Sequence, residues 1–191
     1  TLLKLFDHDY VARGIAHRSD LVSGCHCLAP AYIIDQIDTS RNNLQLDTID
    51  LVYLHNPETQ LEEIPERVFY ERVFAAFEVL EGLVDEGKIA NYGLATWTAF
   101  RVDSVSDGLI SLKTVVELAD KAAKNRGKNK SGFTAIQLPL NLAMPEAALV
   151  ALQQGRSGVK LPALEAAREF GLSVAVSAPL FQSRLCHGLP E

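Results

Sequence analysis

Apolar positions along this chain recur at two different spacings, and the alternation between them sets the expected architecture. From Ile49 to Leu54 the run is broken only by Asp50, and its β-branched and aromatic content favours a strand. Asn56 biases the chain toward a turn and Pro57 has no N–H to donate, so pairing is expected to end at or just after His55. Phe69, Val73, Ala76, Leu80 and Leu83 then recur at helical spacing, which predicts an amphipathic helix closed by Gly87. An earlier helix opens at Pro30, with Ile33, Ile37, Ser40 and Leu44 on one face. Residues 88–96 predict a second strand, and Leu112, Val115, Val116, Ala119, Ala122 and Ala123 line one side of the next helix. A third strand covers 133–140 with its end near Pro139. Leu161, Leu164, Ala167 and Phe170 define a helix that stops at Gly171, and 172–176 is a fourth strand. Glu58 to Pro65 and the stretch up to about Gly158 read as connectors, and the segment before Gly24 has no sustained period.

Helices alternating with strands in this way imply parallel strands joined by right-handed crossovers, with helices covering the sheet. An open doubly wound sheet and a (β/α)8 barrel both satisfy the pattern. Polar residues stand at the carboxyl end of every predicted strand: His55, Thr96, Gln137 and Ser177. A lone histidine there reads as a strand cap, but four polar ends in register suggest a ring of groups around one mouth, as in a barrel active site.

The 191 residues suffice for one ordinary domain or for part of a larger one. A hydrophobic share of 48% with 22% charged residues excludes a disordered or fibrous chain. The net charge of −6 argues against nucleic acid as a partner. The basic run Lys121 to Lys130 contains no aromatic residue and reads as a solvated helix end. No apolar run approaches the ~20 residues of a membrane span, and the amino end lacks the layout of a signal peptide, so no membrane is expected and the location is expected to be cytoplasmic. Met144 is the only methionine, which implies that Thr1 is not a natural start and that processing or truncation removed what came before.

Three cysteines, Cys25, Cys27 and Cys186, make no disulfide framework. Cys25-His26-Cys27 lacks the second ligand pair of a structural zinc site, so buried or incidental thiols are expected and no metal. Neither G-x-G-x-x-G after a strand nor G-x-x-x-x-G-K-[ST] occurs.

Several of these stretches together resemble the aldo-keto reductases. They are Leu46 to Glu58 with its His-Asn-Pro-Glu, Leu83 to Ile89 leading into Tyr92-Gly93-Leu94-Ala95-Thr96-Trp97, Gln137, Ser177-Ala178-Pro179-Leu180, and Gln182-Ser183-Arg184-Leu185. The similarity runs from about Ala29 to the carboxyl end. It implies a partial (β/α)8 TIM barrel of the α/β class, with residues 1–191 as a single incomplete domain, 1–28 as an irregular amino-terminal segment, and the four strands as the family's fourth to seventh. It also implies an NADPH-dependent oxidoreductase that reduces aldehyde or ketone carbonyls.

On this resemblance His55 is the substrate-orienting histidine, one of a set that also holds a tyrosine, a lysine and an aspartate. Thr96 and Gln137 take positions that hold the nicotinamide amide, with threonine in place of the commoner asparagine. Ser177 stands where many members stack an aromatic ring and cannot do so. The loop 178–185, with Leu180, Gln182 and Arg184, matches the pyrophosphate-covering loop, where backbone N–H groups can meet phosphate oxygens.

Nothing here matches the tyrosine, lysine and aspartate, since Tyr10 and Lys4 precede the helix before the first predicted strand, and no eighth strand follows. The expected state is a fragment, inactive alone, with uncovered apolar strand edges. A non-catalytic regulatory or cofactor-sensing module on the same scaffold is the alternative, and a different α/β enzyme using His55 and Cys27 ranks last.

Overall fold

The periodic segments become the long elements of the protein, as a computed structural model describing residues 2–188 shows. The expectations about Thr1 and about the chain beyond Glu191 lie outside the described residues. In chain order the elements are α1 (Leu2–Phe6), a π turn (Asp7–Val11), a 3-10 turn (Arg18–Asp20), β1 (Leu21–Val22), β2 (His26–Cys27), α2 (Pro30–Leu44) and β3 (Ile49–His55). A 3-10 helix (Pro57–Glu62), α3 (Glu66–Asp85), β4 (Ile89–Ala95), a 3-10 turn (Val105–Asp107), α4 (Leu112–Asn125) and β5 (Phe133–Pro139) follow. The last are α5 (Glu146–Leu149), β6 (Gln153–Gln154), β7 (Lys160–Leu161), α6 (Ala163–Phe170), β8 (Ser173–Ser177) and a 3-10 turn (Arg184–His187). The main sheet is parallel, in the order β3-β4-β5-β8, and β5 pairs β8 with Gln137 beside Ala175 and Pro139 beside Ser177.

The chain divides into two compact units, one of 1–52, 59–92 and 117–132, the other of 53–58, 93–116 and 133–191. In the first, α2 packs on α3, and Phe69, Val73, Ala76, Leu80 and Leu83 of α3 are all buried, as their spacing requires. Gly87 sits just past the α3 cap at φ +71°, the left-handed step that glycine makes without strain. Ser40 and Leu44 of α2 are exposed, so the buried stripe of that helix stops at Ile37.

The basic run after α4 is not merely solvated. Glu81 of α3 has no exposed surface; its carboxylate accepts from Tyr92 Oη–H at 2.8 Å and from the Gly132 N–H at 2.6 Å, and Lys128 Nζ lies 2.6 Å from its second oxygen. Burial and then Glu81 push the Tyr92 phenol far above its ordinary value. Lys128 is raised as well: burial alone would lower it, but hydrogen bonds to Asp85 and Glu81 prevail.

Residues 2–28 hold only short elements, tied together by an aromatic cluster. Tyr10 meets Tyr32 edge-on at 4.8 Å and Phe6 at 5.4 Å, and its hydroxyl accepts from Gln36 Nε2 at 3.0 Å. Cys27 is buried, which pushes its thiol up to about 11, while Cys25 and Cys186 are exposed. Alkylation at about pH 8 is therefore expected to modify Cys25 and Cys186 first and Cys27 only on unfolding, because the thiolate is the nucleophile. Mass mapping of the labelled peptides checks this, and equal labelling of Cys27 would contradict it.

In the second unit the core is built from Leu94, Phe100, Ile110, Phe133, Ile136, Leu138 and the alanines of α6. Leu161 belongs to β7, paired antiparallel with β6, and not to the helix. Pro162 explains the shift, because the residue before a proline is pushed to extended backbone and α6 begins after it. The connector after β3 is also helical, as a 3-10 turn, with Glu58 and Gln60 buried.

Candidate functional site

All four polar residues read in the sequence as strand ends fall in the second unit, but Gln137 stands two residues before the end of β5, paired with Ala175 and not level with Ser177. β3 ends on His55, which is exposed, because Asn56 turns the chain at φ +46°. The Asn56 N–H donates to the Ala95 carbonyl at 2.6 Å, so the exits of β3 and β4 are tied to each other.

Thr96 comes next after β4 and is 4% exposed. Its N–H and its hydroxyl both donate to the Gln137 carbonyl, at 2.8 and 3.1 Å. The hydroxyl proton is thereby used, and only the Oγ1 lone pairs are left to meet a further group. Gln137, in mid-β5, is half-buried, and its side-chain amide has no hydrogen-bond partner among the described residues. It keeps both donors and an acceptor for a ligand.

Ser177 closes β8 and holds the neighbouring strand end through its carbonyl, which accepts from the Leu140 N–H at 3.2 Å. Asn141 Nδ2 donates to the Ala178 carbonyl at 2.8 Å, fixing the start of the following loop. That loop carries an uncommon backbone: Ala178, Phe181, Gln182 and Ser183 all have φ between +49° and +72°. Non-glycine residues in this region are strained, and such strain collects at ligand clamps and active sites. The N–H groups of Phe181, Arg184 and Leu185 are used inside the loop, whereas those of Leu180, Gln182 and Ser183 make no hydrogen bond among the described residues. Leu180 and Gln182 are exposed, and the Arg184 guanidinium lies over the Phe181 ring at 5.3 Å.

The residues fit a nicotinamide dinucleotide in the chemistry of their donors. An unpaired carboxamide and an acceptor-only hydroxyl can meet a primary amide, and a turn with free N–H groups beside an arginine can meet phosphate. One contributor was not visible in the sequence. Glu58, assigned to a polar connector, is 6% exposed, and its Oε1 accepts from the Trp97 and Thr98 N–H groups at 2.6 and 2.9 Å. No spacing rule marks a glutamate in a short connector as buried. Tyr10 lies in the aromatic cluster of the first unit, and Lys4 is exposed on α1.

Among the described residues, no helix is long and apolar enough to cross a membrane. The model of the aldo/keto reductase family matches residues 16–166. No curated protein matches the chain by sequence. Among solved structures, the glycerol dehydrogenase of Gluconobacter oxydans is similar at 19% identity and TM-score 0.51 over 85% of this chain and 36% of its own. An aldo/keto reductase from Klebsiella pneumoniae, solved with NADP and acetate, shares 21% identity at TM-score 0.49, covering 82% of this chain and 41% of its own. One from Brucella melitensis shares 15% at TM-score 0.49, with 91% and 47% covered. The chain thus spans less than half the length of each of these structures.

Proposed function

The chain belongs to the aldo/keto reductase family, and on that premise we propose that it is the nicotinamide-holding part of an NADPH-dependent reductase of aldehyde or ketone carbonyls. The observation that carries this reading is the half-buried carboxamide of Gln137, which has no hydrogen-bond partner among the described residues, on the strand residue whose backbone carbonyl takes the Thr96 hydroxyl proton. A cofactor bound there would supply hydride to the carbonyl carbon. Thr96 would accept one N–H of the nicotinamide amide, and Gln137 would donate to its oxygen and accept its other N–H. Arg184 and the free N–H groups of Leu180, Gln182 and Ser183 would neutralise and orient the pyrophosphate.

His55 takes the substrate side. As hydride arrives, negative charge grows on the carbonyl oxygen, and an imidazole N–H aimed at that oxygen stabilises it. On the family resemblance, the proton that completes the alcohol comes from a tyrosine hydroxyl. On the same resemblance no described residue takes the place of that proton-donating tyrosine, and Tyr10 is engaged with Gln36 and Tyr32. The isolated chain is accordingly expected to show no carbonyl-dependent oxidation of NADPH above background. Turnover that disappears in His55→Ala would overturn that expectation.

Gln137→Leu tests the cofactor reading, because leucine keeps most of the volume and loses every polar contact. A rise in the NADPH dissociation constant of about tenfold, on the order of 1.4 kcal/mol, is expected by calorimetric titration. An unchanged constant would remove the amide-holding role.

A further inference from the structure

We propose that Glu58 is a positioning residue: its buried carboxylate latches the exit turn of β4 and so sets where Thr96 presents its hydroxyl. The inference rests on the cofactor reading for its consequence, though not for its geometry. Glu58 leaves β3 three residues after His55, and its Oε1 takes both backbone N–H groups that follow Thr96, at 2.6 Å from Trp97 and 2.9 Å from Thr98. Those two amides begin the turn 97–101, in which the Arg101 N–H returns to the Thr98 carbonyl at 2.8 Å. A carboxylate accepting two N–H groups at the start of a turn fixes its direction, as a capping side chain fixes a helix start.

The latch is closed from its other side as well. A Cβ on Gly108, at φ +95°, would lie 2.9 Å from Thr98 Oγ1 and 3.5 Å from Glu58 Cβ, so that buried glycine leaves only enough room for the pair. Glu58 Oε2 is buried with no hydrogen-bond partner among the described residues. A carboxylate kept there with one oxygen unpaired opposes stability, and a leucine would fill the space at lower cost if packing were the only requirement. What a leucine lacks is the ability to hold two amides. Thr96 is then pinned from both directions, by Gln137 on one side and by the latched turn on the other.

The test combines amide hydrogen exchange with NADPH titration on the full chain, using Glu58→Ala and Glu58→Gln. Glu58→Ala is expected to speed exchange of the Trp97 and Thr98 amides at least tenfold, to leave the β5 amides unchanged and to weaken NADPH at least tenfold. Glu58→Gln keeps an oxygen acceptor and is expected to stay within about threefold of the wild type in both measurements, a rescue that a volume effect would not produce. If the alanine variant does not fold, Glu58→Asp, whose shorter reach cannot span to both amides, takes its place with the same expectation. Unchanged exchange at Trp97 and Thr98 overturns the latch. Faster exchange with unchanged NADPH affinity overturns its effect on Thr96. A wild-type chain that binds no NADPH refutes the cofactor reading instead, and exchange then decides the latch on its own.

Discussion

Gly93→Ala is expected to destabilise the protein by about 3 kcal/mol or more, the upper part of the range for overpacked interiors. A Cβ at this position would stand 2.2 Å from the Ala135 carbonyl oxygen and 3.0 Å from the Tyr53 ring. The first of these is backbone in a neighbouring strand, so no rotamer change relieves it. β4 and β5 would have to separate near Gln137 and Thr96, the two residues proposed to hold the nicotinamide amide. Both the urea midpoint and NADPH affinity are therefore expected to fall together. A variant as stable as the wild type would show that the two strands do not approach as closely as described.

The second large effect belongs to Glu81. Its removal in Glu81→Ala leaves the Tyr92 hydroxyl and the Gly132 N–H buried without their acceptor and separates Lys128 from its partner. Breaking one side of a buried pair costs about 3–5 kcal/mol, because the groups left behind stay desolvated. Lys128 keeps some exposure and a second partner in Asp85 at 2.8 Å, so the loss is expected near the lower figure. Tyr92→Phe removes a single bond and should cost only about 1 kcal/mol. Equilibrium urea unfolding of the two variants checks the ordering, and equal losses would contradict it.

The neighbouring Asp85 gives the pH dependence a sign. Hydrogen bonds from Lys128 and Arg126 hold its carboxyl below the ordinary 3.8. A depressed folded-state value means that the stabilisation is complete above 3.8 and fades as the pH falls through the lowered value. Asp85→Asn is expected to flatten that acid limb of the stability curve slightly, since the side chain is well exposed.

Much of the fold was legible because burial imposes a period. The apolar face of α3, the stop of β3 before Asn56-Pro57 and the glycine endings at Gly87 and Gly171 all follow from single residues whose chemistry allows little else. Leu161 was misplaced by following the period through Pro162, although the proline itself carried the warning. His55 and Ser177 close their strands and Thr96 follows β4, whereas Gln137 stands inside β5; all four fall in one unit.

Their environments were not legible. That Thr96 spends its proton on the Gln137 carbonyl depends on the register of two strands 41 residues apart in sequence. The left-handed run 181–183 contains no glycine, so nothing in its composition announced it. Glu58 and Glu81 are buried charges, which residue type argues against. For Glu81 a hint existed: it lies four residues after the buried Phe77, at the edge of the apolar stripe.

Trp97 makes the central claim directly measurable, as the only tryptophan of the chain, 37% exposed and adjacent to Thr96. Excited indole passes energy to a reduced nicotinamide held nearby, so titration of the full chain with NADPH should quench Trp97 emission to saturation and sensitise cofactor fluorescence. Gln137→Leu should shift that curve to higher concentration, and excess NADP should reverse it. A chain that shows no saturable energy transfer up to millimolar NADPH would contradict the account.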